Sequence, residues 1–123
     1  MKAFIVDRYK KKGALRFGDM PEPVLQDTAA LFGLMSASVR LHLLWLLSIG
    51  EHDVGSLAEI TGQSLATVSH HLGKLKLAGL VQAQRFGRRR VYVLSDADAA
   101  AMVRLAITRR LEPMLSSDRR RRA

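Results

Sequence analysis

Three observations in this sequence predict a mainly α fold with one small β-hairpin. Apolar residues recur three and four apart through most of residues 26–78, the period falls to two from Val81 to Leu94, and a helical period returns after Asp96. The predicted order is α-α-α-α-β-β-α, a winged helix-turn-helix. With 123 residues there is room for one domain, and 48% apolar residues suffice for a core.

Residues 1–25 read as a separate extension, part strand and turn, part disordered. Ala3 to Val6 suits a short strand, and Gly13, Gly18, Pro21 and Pro23 are turn formers. Residues 26–114 hold the domain. Leu31, Leu34 and Met35 share one helical face, which Asp27 or Thr28 can cap. From Ser38 a second helix carries Leu41, Leu44 and Trp45 on one side, and Leu43, Leu46 and Leu47 nearly close its circumference. Such a helix belongs at the centre of the domain, with Trp45 as a core anchor and His42 packed.

Gly50 ends that helix, and Asp53 can cap a short one from Val54 to Thr61. After the break at Gly62, Ser64 opens a helix to about Ala78, its Leu65, Val68, Leu72 and Leu75 facing inward. Two helices joined by a tight glycine-containing turn form a helix-turn-helix. Gly79 is placed for a left-handed cap. In the hairpin that follows, Gly87 is the residue able to take a positive φ, and Arg88, Arg89 and Arg90 form the tip. A last helix runs from Asp96 or Asp98 to about Leu111, ended by Pro113. Residues 115–123 are expected to be a disordered basic tail.

Lysine and arginine number 20 against 11 acids, a net charge of +9. That balance favours nucleic acid as a partner first and an anionic membrane surface second. Its distribution is sharper: between Glu59 and Asp96 there is no acid, while Lys74, Lys76, Arg85, Arg88, Arg89 and Arg90 all fall there. A solvated surface normally mixes the signs, and a one-signed stretch focuses positive potential as phosphate binding requires. The outward side of the Ser64 helix offers Ser64, Ala66, Thr67, Ser69, His70, His71 and Lys74 to a major groove. Arg85, Arg88, Arg89 and Arg90 of the hairpin follow the backbone or enter the adjacent minor groove.

Leu57-Ala58-Glu59, Thr67-Val68-Ser69-His70-His71-Leu72, Leu75, Ala78-Gly79-Leu80-Val81, Gly87-Arg88-Arg89, Tyr92 and Leu94 together resemble the ArsR/SmtB family of bacterial transcriptional repressors, as does Val39-Arg40-Leu41. The resemblance implies a homodimer joined by the first and last helices, here through Leu31, Leu34, Met35, Met102, Leu105 and Leu111. Such a dimer reads double-stranded DNA as a palindromic operator, its recognition helices about 34 Å apart. Many relatives carry glutamine and serine where this chain has Leu65 and Ala66, so base readout shifts toward Thr67, Ser69, His70, thymine methyls and DNA shape.

Family members often release DNA on binding a metal, at cysteines near the region of His52 to Ser56 or at an Asp-x-His pair on the last helix. This chain has no cysteine, and Asp96-Ala97-Asp98 is followed by no histidine. No metal site and no cofactor are therefore expected; the inducer is open. Met1 to Val24 resembles the opening of medium-chain dehydrogenases and quinone reductases, with none of their dinucleotide fingerprint. No apolar run is long enough to span a bilayer and no secretory signal fits, so a cytoplasmic protein is expected. Against the leading DNA-binding repressor stand a winged-helix module for an acidic protein partner and a histidine- and carboxylate-based metal-responsive repressor. No acid–base spacing rises from the eleven acids and four histidines, so no enzyme is expected.

Overall fold

A computed structural model describes residues 19–122 of the chain. It divides into two compact units after Ser36. The described part of the first unit is helix α1, Glu22–Met35. Pro21 precedes it and Pro23 lies in its first turn, where the missing N–H has no intrahelical partner to lose. Asp27 and Thr28, expected as caps, lie inside the helix, and the Thr28 hydroxyl donates to the Val24 carbonyl at 2.7 Å.

The second unit contains α2 (Ser38–Ile49), β1 (His52–Asp53), α3 (Val54–Thr61), α4 (Leu65–Leu77), β2 (Val81–Phe86), β3 (Arg89–Leu94) and α5 (Ala97–Arg122). Helix α2 is central: it packs on α3, α4, β3 and α5. Leu43, Leu44 and Leu47 are its buried residues, while Trp45 is only half-buried and His42 is exposed, not packed. The core closes with Leu57 of α3, Val68, Leu72 and Leu75 of α4, Val81, Val91 and Tyr92 of the sheet, and Ala99 and Val103 of α5. Among the described residues no charged side chain is buried, so the fold is held by apolar packing and its ionic groups stay at the surface.

The helix-turn-helix is built from local signals. The Asp53 carboxylate accepts from the Ser56 N–H at 2.7 Å and starts α3. Gly62 leaves α3 at φ +70°, a left-handed conformation that glycine adopts without steric cost. Ser64 then caps α4 by accepting from the Thr67 N–H at 3.1 Å. At the other end Gly79 N–H donates to the Lys76 carbonyl and Leu80 N–H to the Leu75 carbonyl, both at 3.0 Å. This paired closure is a Schellman cap, sealed by the buried Leu75 and Leu80.

The sheet has three strands in the order β1-β3-β2, not two as expected. The addition is β1, whose His52 and Asp53 pair with Tyr92 and Val91. Two residues carry no readable period, so the sequence alone could not announce it. Strands β2 and β3 are joined through Gly87 and Arg88 only; Gly87 has φ +62° and Arg88 does not share the positive sign, the pattern of a type II′ hairpin turn. The last helix departs furthest from expectation. It passes through Pro113 and continues to Arg122, so residues 115–122 are helical and not a loose tail. Pro113 removes one backbone donor, and with the residues around it exposed, water can serve the carbonyl left over.

Candidate nucleic-acid interface

Along α4 the buried stripe of Val68, Leu72 and Leu75 fixes which side faces out. Ala66, Ser69, His70, Gly73 and Lys74 are exposed, Thr67 is half-buried, and Ser64 is exposed at the start. The Ser64 hydroxyl also donates to Thr67 Oγ1 at 2.9 Å, so the cap and the Thr67 hydroxyl form one polar group. Leu65, expected to face inward, is 58% exposed, and Leu77 is 92% exposed. Angle does not account for Leu65, which lies only about 20° outside the arc of the buried stripe; it sits in the first turn, at the very start of the helix.

His71 is the exception on this helix. Its ring is half-buried, and Nδ1 lies 3.3 Å from a guanidinium nitrogen of Arg40. A guanidinium can only donate, so Nδ1 accepts and the ring is neutral with its proton on Nε2. Burial lowers the His71 pKa from the usual 6.5, and the positive charges of Arg40, His70 and Lys74 lower it further. His71 therefore braces α4 against α2 through Arg40. His70, its neighbour, stays exposed with the rings 5.5 Å apart.

In the wing only Arg88 occupies the tip. Arg89 stands opposite Phe86 and Arg90 opposite Arg85, already within the ladder. Arg89 ion-pairs with Asp53 at 3.2 Å. Asp53 is thus shared between the start of α3 and the wing, and its carboxyl is held below the usual range, first by the Ser56 N–H and next by the Arg89 guanidinium, against some desolvation. Arg90 lies over the Tyr92 ring, 5.6 Å from its centroid. A shallow depression between the last turn of α4 and the hairpin is lined by Lys76, Ala83, Gln84, Arg85 and Arg90. Lys76, counted from the sequence in the acid-free stretch but not assigned to either contact surface, is two residues from Lys74 and so points about 160° away from it, toward the wing.

On the helices expected to dimerise, Leu31 and Leu34 are half-buried and Met35 is buried within the chain. Met102 is half-buried; Leu105 and Leu111 are exposed. Further exposed apolar residues on these helices are Leu25 and Phe32 of α1 and Met114 and Leu115 of α5. No group of three histidine, aspartate or glutamate side chains among the described residues is placed to hold a metal ion.

Residues 37–83 match the family model described as bacterial regulatory protein, arsR family. The homodimeric winged helix-turn-helix DNA-binding domain of Mb0332 from Mycobacterium bovis is 34% identical, with a TM-score of 0.64 over 75% of this chain and 85% of that one. The transcriptional repressor BigR from Xylella fastidiosa is also 34% identical, with a TM-score of 0.65 over 71% and 86%. This chain belongs to the ArsR family. It is a winged helix-turn-helix DNA-binding transcriptional regulator. Among curated relatives, the regulator Rv0324 of Mycobacterium tuberculosis is 36% identical over 87 residues, 71% of this chain; the match spans 38% of that protein's length. These ArsR relatives lend no support to the dehydrogenase likeness of residues 1–24, and residues 1–18 of that stretch lie outside those described. No single helix among the described residues is long and apolar enough to cross a membrane.

Proposed function

We propose that this ArsR-family chain acts in the cytoplasm as a homodimeric repressor of a palindromic operator, without a resident metal. The observation that carries the reading is the outward side of α4: capped, free of acid, and flanked by Lys74, Lys76 and the wing arginines. Such a surface inserts polar and small side chains into a major groove while cations meet the phosphates. Thr67, Ser69 and His70 read bases, and Arg88 reaches the backbone or the minor groove beyond.

Dimer formation is supported by the apolar residues that α1 and α5 leave exposed, Leu25, Phe32, Leu111, Met114 and Leu115. The Mb0332 domain is described as homodimeric and BigR as a repressor, which favours both properties here. The chain has no cysteine, which rules out a thiolate metal site as the receiver of a signal.

The test is titration against a duplex from the DNA upstream of its own gene and a scrambled duplex, at two salt concentrations. The reading expects the upstream duplex to win by a hundredfold or more, about 2.7 kcal/mol. Failure to bind any duplex at low salt refutes it. Sedimentation of the wild type and of Phe32→Asp tests the dimer, with the variant expected to run as a monomer.

A further inference from the structure

The depression between α4 and the hairpin brings together three cations from three elements: Lys76 from the last turn of α4, Arg85 from β2 and Arg90 from β3. Arg85 and Arg90 are direct cross-strand partners, an arrangement that is destabilising for like charges. No carboxylate among the described residues pairs with any of the three. The nearest ion pair in the wing takes Arg89, which alternates to the other side of the strand. Among the described residues no anionic side chain compensates this convergence of charge, whereas one bound anion would.

We infer that this cleft is a dedicated phosphate site that clamps one backbone phosphodiester of the duplex. The inference rests on the DNA-binding reading and specifies where the strand runs. A helix seated in the major groove and a wing at the neighbouring minor groove have between them the phosphate ridge that separates the two grooves. The cleft occupies the corresponding place in the protein, between α4 and the hairpin. Ala83 keeps its floor low, and the Arg90 guanidinium is steadied by its position over Tyr92. Lys76 supplies a point charge while the two guanidiniums offer planar donors to phosphate oxygens. Because a phosphate carries no base identity, the site contributes affinity and register without sequence preference.

The test uses the full chain with duplexes in which single phosphates are replaced, one at a time, by neutral methylphosphonates. One position per half-site is expected to weaken wild-type binding about tenfold, and the same replacement should cost Lys76→Ala and Arg85→Ala much less. Each variant alone should weaken cognate and scrambled duplexes alike and reduce the salt slope by about one. Both residues are exposed, and thermal melting no lower than that of the wild type confirms that folding is intact. If Arg88→Ala weakens binding while Lys76→Ala and Arg85→Ala do not, the clamp is refuted and the DNA-binding reading survives. If no duplex binds at all, the reading beneath it has failed. Inorganic phosphate at matched ionic strength is expected to compete no better than chloride. Competition at submillimolar phosphate would reassign the cleft to a free phosphate ligand and overturn its assignment to DNA.

Discussion

On the outward side of α4 the exposed residues from Ala66 to Gly73 are small or polar, Ala66, Ser69, His70 and Gly73, and the cation Lys74 comes only in the last turn, whereas the wing presents Arg85, Arg88 and Arg90 within six residues. The helix is rigidly held by a cap at each end and a buried apolar stripe. The wing is a hairpin whose outer half is exposed on both strands. Under the proposed function the two regions divide the work of binding DNA. Long cations supply attraction that depends on salt and ignores sequence, and short polar groups discriminate bases only where the helix is fixed to within a fraction of an ångström. The helix needs a core beneath it; the wing needs only its charge and register.

That contrast can be broken most forcefully from below. Leu72→Ala, at a fully buried position under α4, is expected to cost about 2–5 kcal/mol in urea unfolding and to erode base discrimination before salt-dependent affinity. His70→Ala should lower affinity for the cognate duplex by about 1–3 kcal/mol in a titration while leaving the scrambled duplex unchanged. Arg88→Ala, at the tip of the wing, should do the reverse: about a tenfold loss on both duplexes, with the salt slope reduced by about one. The smallest effect is at His71. Its folded pKa lies below the ordinary 6.5, so as pH falls through 6.5 the unfolded chain takes up a proton that the folded one resists. Stability should therefore decline below pH 6.5 until the folded value is passed, and His71→Gln should flatten that part of a melting-temperature profile.

The helix-turn-helix was legible in the sequence because its signals are local. Asp53 and Ser64 stand at the cap positions, Gly62 and Gly79 take the left-handed conformations, and the three-and-four spacing of Val68, Leu72 and Leu75 fixes the buried side. What was not legible depends on contacts distant in the chain. His71 reads as one of two adjacent histidines until Arg40 is seen beside it. Arg89 reads as one of three arginines until β1 brings Asp53 across to it. Lys76 reads as a companion to Lys74, although helical geometry puts the two on different sides. Pro113 reads as a stop, but an exposed helix can let water replace the lost hydrogen bond, and α5 goes on for nine further residues.

The two-residue turn at Gly87 and Arg88 also determines how the wing can change over evolutionary time. Side chains on a strand alternate sides, so the even count from Arg85 to Arg90 is what puts those two guanidiniums together and sends Arg89 the other way. One uncharged residue inserted into or deleted from either strand would exchange the roles of neighbouring arginines while leaving their number and the net charge unchanged. Drift in the length of this hairpin should therefore proceed in steps of two, or else pass through a regulator whose cations face the wrong side.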